Sequence, residues 1–162
     1  MIMDETVETG QWRIARAPEV LHANGLGSCV AVCLYASGQQ LGALGHLMLP
    51  GERGQTGSGD LDRFVASAIR RMVEALSEAG VEPGSLVAKI AGGGNLFENE
   101  NQTLISGIGS RNARSARQIL TLLGIPVLAE DIGGNRERSV SFDLASGEMI
   151  VYCASDNLKQ TF

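Results

Sequence analysis

The sequence has no surplus of basic residues and no long apolar run. Its 13 Lys and Arg residues stand against 18 Asp and Glu residues, which gives a formal net charge of −5 at pH 7. Proteins that bind nucleic acid or anionic membranes through charge carry a basic patch, so we expect neither partner. No apolar stretch approaches the roughly 20 residues needed to span a bilayer, and the first residues lack the pattern of a signal peptide. These features predict a cytoplasmic protein that does not insert into membranes.

Cysteine and histidine are also scarce. The chain has three cysteines, Cys29, Cys33 and Cys153, and two histidines, His22 and His46. An odd number of cysteines argues against a secreted disulfide framework. The sequence has no Cys-x-x-Cys pair and too few histidines for a structural zinc site. We therefore expect reduced thiols, no bound metal and no organic cofactor.

Aromatic residues make up only 4% of the chain, so the core must be built from Val, Leu, Ile and Ala. A length of 162 residues with 44% hydrophobic residues suits one domain. We expect it to span residues 11–162, after a flexible polar segment over residues 1–10. The mixture of hairpins and helical crossovers predicts an α+β fold. The predicted helices cover residues 61–79 and 111–123, and the predicted strands cover residues 11–17, 19–21, 29–35, 41–49, 86–91, 127–130, 139–144 and 149–153.

Two predicted strands form a hairpin that carries a cysteine and a histidine. Cys29 follows a Gly-Leu-Gly-Ser turn over residues 25–28 and begins the first strand, and His46 lies in the second. The connecting residues 36–40 resemble a hairpin turn, so pairing would bring the start of the first strand near the far part of the second. A thiol beside an imidazole is the minimum equipment for nucleophilic attack on a carbonyl.

The alternatives for these residues are structural. Most cysteines are small buried hydrophobes, and we assign Cys33 and Cys153 that role. Cys29 differs because the glycine turn before it leaves room for a substrate, and the N–H groups of Ser28 and Cys29 can stabilise an oxyanion. A histidine in an apolar strand is often a core residue. His22 is the competing base, but the hairpin favours His46.

Two glycine-rich segments, residues 91–95 and 130–139, are candidates for the rim of the site. The first lacks the Lys-Ser/Thr of a phosphate-binding P-loop. The second contains paired carboxylates, which can act as acid and base, although local ion pairs in a solvated turn are the simpler interpretation. We assign to the rim the residues Gly27, Gly93, Asn135, Arg138 and Ser139.

Five blocks of sequence resemble the CheD family of chemoreceptor glutamine deamidases, with similar residues in the same order along the chain. The resemblance extends from about Gln11 to Tyr152. The blocks are Gly25-Leu26-Gly27-Ser28-Cys29-Val30-Ala31-Val32, Gly45-His46-Leu47-Met48-Leu49-Pro50, Ala88-Lys89-Ile90-Ala91-Gly92-Gly93, Ile108-Gly109-Ser110-Arg111-Asn112, and Ala129-Glu130-Asp131-Ile132-Gly133-Gly134-Asn135-Arg136-Glu137-Arg138-Ser139-Val140.

The resemblance implies a function and a fold. Cys29 would be the nucleophile and His46 the base of a protein-glutamine glutaminase that acts through a Cys thioester. The substrate would be glutamine side chains on the cytoplasmic helices of chemotaxis receptors. The fold would consist of packed mixed β-sheets flanked by helices, similar to that of the cytotoxic necrotizing factor deamidases. Some family members also bind a CheC-type phosphatase.

One departure from the family pattern concerns the catalytic residues. The family usually has a threonine six residues before the cysteine, as a third catalytic member near the histidine, and this chain has Ala23. The backbone carbonyl of Ala23, or the side chain of His22 or Asn24, would have to replace that hydroxyl. The alternative functions are a weakly active or non-catalytic adaptor for receptors or a CheC-type phosphatase, and a thiol hydrolase acting on an amide outside chemotaxis.

Overall fold

The computed structural model describes residues 3–51, 63–96 and 107–162. The strands in these ranges are β1 (Asp4–Thr6), β2 (Gln11–Arg16), β3 (Val20–Leu26), β4 (Val30–Ala36), β5 (Leu41–Leu47), β6 (Val87–Gly92), β7 (Val127–Ile132), β8 (Arg138–Asp143), β9 (Met149–Cys153) and β10 (Leu158–Thr161). The longer helices are α1 (Val65–Glu78) and α2 (Ile108–Leu122). No helix of the described residues is long and apolar enough to cross a bilayer.

The strands form two mixed sheets of five strands each. The inner sheet has the order β2-β5-β4-β6-β7, and the outer sheet has the order β1-β3-β8-β9-β10. Most neighbours are antiparallel, but β6 and β7 are parallel, as are β1 and β3. The predicted β4–β5 hairpin is present, with Val30 opposite Leu47 and Ala36 opposite Leu41. The predicted α+β class is confirmed.

The inner sheet is the middle one of three layers. Every residue of β4 and β5 is buried, because one face of each strand meets the helices and the other meets the outer sheet. Val30, Val32 and Leu34 belong to the cluster that includes the helices. Their neighbours Ala31 and Cys33 belong to the cluster that includes the outer sheet. This alternation follows from the two-residue period of a strand, and it explains why both strands read as continuous apolar runs.

Both helices end at the glycines that the sequence predicts as stops. After α1, the N–H of Gly80 donates to Ser77 and the N–H of Val81 donates to Leu76. After α2, Gly124 and Ile125 repeat this pattern with Thr121 and Leu120. Both glycines have positive φ, +98° and +72°, which L side chains rarely adopt. The start of α2 is three residues earlier than predicted, at Ile108.

The structure contains one unpredicted strand near each terminus, β1 and β10, and β10 pairs with β9. Instead of a flexible segment over residues 1–10, the described residues 3–10 contain β1, which pairs with β3, and Val7, which is buried. Strand β3 also continues to Leu26, where the sequence predicts an end at residue 21. A three-residue strand in a polar segment has no local signal, because its pairing partner is distant in sequence. The predicted start of α1 at residues 61–62 and most of the loop at 95–110 lie outside the described residues.

Candidate active site

The candidate site lies between the two sheets, where β4 begins and β5 ends. His46 is opposite Ala31 in the β4–β5 pair, so the two side chains share the face that meets the outer sheet. Cys29 precedes Ala31 by two residues and packs against the same cluster, which makes it the diagonal neighbour of His46. Diagonal neighbours are typically about 7–8 Å apart, with their Cβ atoms somewhat closer, which is within reach of aromatic and long side chains. The fold therefore brings the thiol and the imidazole to one end of the same face.

The imidazole of His46 has a defined orientation. Its Nδ1 lies 3.1 Å from the carbonyl oxygen of Val7, and because a carbonyl only accepts hydrogen bonds, Nδ1 must carry the proton. The other nitrogen, Nε2, then has the free lone pair and is the basic one. The hydroxyl of Thr9 lies 3.4 Å from Nε2, so it can accept a hydrogen bond from the Nε2–H that forms when the ring takes up a proton. The Val7 carbonyl thus holds the ring in the tautomer that a general base needs.

The segment that orients the ring connects β1 to β2. The Val7 N–H donates to the His22 carbonyl at 2.7 Å, and the Gly10 N–H donates to the His46 carbonyl at 2.8 Å. Neither Val7 nor Thr9 belongs to a recognisable motif, so the sequence alone does not indicate that this segment contacts His46. Ala23 is fully buried in β3, and an orienting role for its carbonyl stays a prediction.

Burial disfavours the charged forms of both groups. It raises the pKa of the Cys29 thiol, and a contact with the residue's own backbone amide partly offsets this effect. Burial also lowers the pKa of His46, against smaller opposing effects of the Val7 carbonyl and the Glu8 carboxylate. A neutral thiol and a neutral imidazole are therefore favoured near pH 7. A thiolate stabilised by a neighbouring imidazolium, the usual arrangement of an activated cysteine, is not what this burial favours.

The turn before Cys29 is held by three hydrogen bonds to successive carbonyls. The Gly27 carbonyl accepts from the Gly94 N–H at 2.9 Å, and the Cys29 carbonyl accepts from the Gly93 N–H at 2.8 Å. The Ser28 carbonyl accepts from the Asn112 side chain at 2.8 Å. Gly93 has a φ of +62°, and a Cβ on it would lie 2.8 Å from a backbone oxygen. The glycine-rich segment after β6 is therefore a close backbone support for the Cys29 turn.

The predicted rim residues lie in three parts of the chain: beside Cys29, in the turn over residues 133–137, and at the start of β8. Gly27 and Gly93 lie next to the Cys29 backbone. The turn over residues 133–137 packs near them, since the Asn95 N–H donates to the Gly134 carbonyl at 2.8 Å. Asn135 is exposed within this turn. Arg138 is 5% exposed and donates to the Gly133 carbonyl at 2.8 Å.

Ser139 follows Arg138 on β8, so its side chain is on the face opposite to that of Val140, which packs between the sheets.

The adjacent carboxylates of the second glycine-rich segment, Glu130 and Asp131, form ion pairs. Glu130 accepts from the Arg117 Nε at 2.8 Å, and Asp131 lies 3.4 Å from the Arg138 Nε. Both fit the simpler interpretation of local ion pairs.

His22, the competing base, is on the other face of β3. Its Nδ1 is 2.8 Å from the Ser141 hydroxyl, and its Nε2 is 3.5 Å from an Asp4 carboxylate oxygen. The neighbouring residues Leu21 and Ala23 face the cluster between the sheets, so the period of the strand turns His22 away from it. The fold thus brings only one of the two histidines to the face that contains Cys29.

Comparison with known proteins shows the family of this chain. A family model described as CheD chemotactic sensory transduction matches residues 48–153. A probable chemoreceptor glutamine deamidase CheD of Moorella thermoacetica is 41% identical over 98% of this chain and 97% of its own length. The chemoreceptor glutamine deamidase CheD of Thermotoga maritima is 37% identical over 92% of this chain and 91% of its own length.

One solved structure, the Bacillus licheniformis hypothetical protein YfiH, has a TM-score of 0.46 and 18% identity, over 74% of this chain and 49% of its own. A similarity this low supports no conclusion. The matches to the family model and to nearly full-length relatives, in contrast, establish the family. This chain belongs to the CheD family.

Proposed function

We propose that this protein is a protein-glutamine glutaminase that converts specific glutamine side chains of chemotaxis receptors to glutamate. The observation that carries the proposal is the placement of Cys29 and His46 on one face of the inner sheet, with the basic nitrogen of His46 defined by Val7. The substrate class follows the names of the relatives, which are chemoreceptor glutamine deamidases.

In the first step the Cys29 sulfur attacks the carboxamide carbon of glutamine. Nε2 of His46 accepts the thiol proton, and the carbonyl electrons move to the oxygen, which becomes an oxyanion. Because burial favours neutral forms of both groups, we propose that this proton transfer accompanies the attack. The N–H groups of Ser28 and Cys29 are the proposed donors to the oxyanion.

In the second step the tetrahedral intermediate collapses. The carbon–nitrogen bond breaks, His46 returns its proton to the departing nitrogen, and ammonia leaves a thioester on Cys29. His46 then deprotonates a water molecule, which attacks the thioester carbon, and the thiol departs with that proton. The sum is glutamine and water giving glutamate and ammonia, with no other reactant.

The product adds one negative charge to the receptor, which alters its local electrostatics. We propose that the reaction takes place in the cytoplasm, where the receptor helices that carry the target glutamines lie. We also propose that a CheC-type phosphatase is a partner, and that the two-sheet fold is similar to that of the cytotoxic necrotizing factor deamidases.

The proposal is tested by incubating the protein with the cytoplasmic fragment of a chemotaxis receptor. Conversion of a glutamine to glutamate adds about one dalton to its peptide, and hydroxylamine added during turnover should trap the thioester as a hydroxamate. Cys29→Ala and His46→Gln should abolish both signals. Cys153→Ala is the matched control, because it also removes a thiol, one that is buried and has no role in the proposed chemistry, and its loss should leave the rate unchanged.

Receptor binding without any mass gain or ammonia release would contradict the enzymatic proposal. That outcome would favour the alternative function of a non-catalytic adaptor.

A further inference from the structure

A fully buried asparagine connects the residues just before β4 with the residue just after β5, next to the proposed catalytic pair. Asn112 lies in the first turns of α2 and has no exposed surface. Its Nδ2 donates to the Ser28 carbonyl at 2.8 Å and to the Met48 carbonyl at 3.2 Å. Both partners are carbonyls, which only accept hydrogen bonds, so the amide orientation is unambiguous. Asn112 therefore holds the residue before Cys29 against the residue two positions after His46.

The hydrogen bond to Ser28 also fixes the direction of an N–H group. The peptide between Ser28 and Cys29 is planar, so the Ser28 carbonyl and the Cys29 N–H point in opposite directions. With the carbonyl held by Asn112, the N–H points away from α2. Consistent with this, the Cys29 amide contacts its own sulfur and partly offsets the effect of burial on the thiol pKa. The N–H is thus directed to the side of the peptide where the thiol reacts.

We propose that Asn112 is a positioning residue that fixes the Cys29 N–H as a donor to the oxyanion formed when the thiol attacks a carbonyl. During attack the sulfur–carbon bond forms and the carbonyl electron pair moves to the oxygen, which accepts a hydrogen bond from this N–H. A donor that is already oriented needs no rearrangement in the transition state. This inference rests on the proposed function for the identity of the natural substrate, a glutamine side chain. The role of Asn112 itself applies to any carbonyl that the Cys29 thiol attacks.

Two reagents that react with Cys29 separate this role from a general effect on the thiol. Iodoacetamide alkylates a thiol by displacement at a saturated carbon, and no oxyanion forms. The ester p-nitrophenyl acetate acylates a thiol through an oxyanion and releases p-nitrophenolate. Neither reaction requires a receptor. Peptide mapping assigns the modification to Cys29, and stopped-time assays give the two rate constants.

The variant Asn112→Leu removes both N–H donors with little change in volume. We expect the acylation rate to fall by about 10- to 100-fold, somewhat less than the effect of deleting an oxyanion donor outright. The alkylation rate should be nearly unchanged. Ser115→Ala is the matched control on the same helix, because Ser115 accepts from the Gly51 N–H and not from the Cys29 turn. It should leave both rates unchanged.

Three outcomes would overturn the proposal. Equal losses of acylation and alkylation in Asn112→Leu would mean that Asn112 only holds the thiol in place. No loss of acylation would mean that the N–H is oriented without it. A wild-type ratio of acylation to alkylation no higher than that of free cysteine would mean that no oxyanion donor is present.

If Asn112→Leu fails to fold, Asn112→Ala makes the same test, since it also lacks the N–H donors and adds no polar group. Failure of the wild-type protein to deamidate receptors would overturn the proposed function but not this inference. Normal deamidation together with unaffected acylation in Asn112→Leu would overturn this inference but not the proposed function.

Discussion

Restoring a hydroxyl at position 23 should not activate the protein, and should destabilise it. The sequence pattern of the family suggests that Ala23→Thr would supply a missing partner for His46. The structure already gives that ring two partners, the Val7 carbonyl at Nδ1 and the Thr9 hydroxyl at Nε2. Ala23 itself is fully buried in the cluster between the sheets. A threonine there adds a methyl and a hydroxyl to a packed site.

The magnitude follows from the burial. Added atoms in a packed core cost about 1–3 kcal/mol, and a buried hydroxyl without a partner costs about 1–3 kcal/mol more. The higher β propensity of threonine offsets part of this, since that scale spans about 1 kcal/mol. We expect a net loss of about 2 kcal/mol in the free energy of unfolding. For a chain of this size that corresponds to a fall in Tm of roughly 4–8 °C.

Two measurements test this prediction: the Tm from a thermal melt, and the rate of ammonia release from a receptor fragment. The matched control is Ala23→Val, which has nearly the same shape as threonine and no hydroxyl. We expect neither variant to exceed the wild-type rate. A ten-fold faster rate in Ala23→Thr but not in Ala23→Val, with an unchanged Tm, would refute the reasoning. It would mean that position 23 has free space and that the His46 ring lacks an orienting partner.

Three further predictions concern the catalytic pair. Cys29 should react with iodoacetamide faster than the buried Cys33 and Cys153. Its alkylation rate should still rise beyond pH 8, because burial raises the pKa of its thiol. An alkylation rate that is already constant below pH 7 would instead indicate a thiolate–imidazolium pair. Thr9→Val should slow deamidation by up to about ten-fold, the effect of one hydrogen bond of roughly 1 kcal/mol, and Thr9→Ser should restore it; equal rates in both would leave the Thr9 hydroxyl without a role. The pKa of His46 is lowered in the folded protein, so the unfolded chain binds a proton at this residue more readily than the folded one. His46 therefore contributes stability above its unfolded pKa of about 6.5, and this stability is lost as the pH falls through its folded pKa. Melts between pH 7 and 5 should show a smaller decline for His46→Gln than for the wild type, and identical declines would contradict the shift.

Much of the inner sheet could be predicted from local sequence. The apolar runs of β4 and β5 and the short turn between them predict a hairpin, because pairing of adjacent strands needs only local information. The glycines at 80 and 124 likewise predict both helix ends, since the positive φ of such a position favours glycine. The placement of Cys29 as a diagonal neighbour of His46 follows from the same hairpin, which needs no distant segment.

The supports of the site could not be predicted in this way. Val7 and Thr9 reach His46 because their segment runs from β1, which pairs with β3, into β2, whose first residue Gln11 is opposite His46 on β5. Asn112 appears in the sequence as one polar residue in an amphipathic helix. Its burial depends on how α2 packs against the ends of β4 and β5, a contact between segments more than sixty residues apart in sequence.

The sequence by itself determined the family, most of the strand–helix pattern and the identity of the candidate nucleophile and base, because motifs and periodicity are local properties of the chain. Only the tertiary structure decided the state of that pair. The orientation of the His46 ring depends on the carbonyl of Val7, which is distant in sequence, and the raised pKa of the Cys29 thiol depends on burial between two sheets. Burial sums contributions from many distant segments, and no local pattern of residues records that sum.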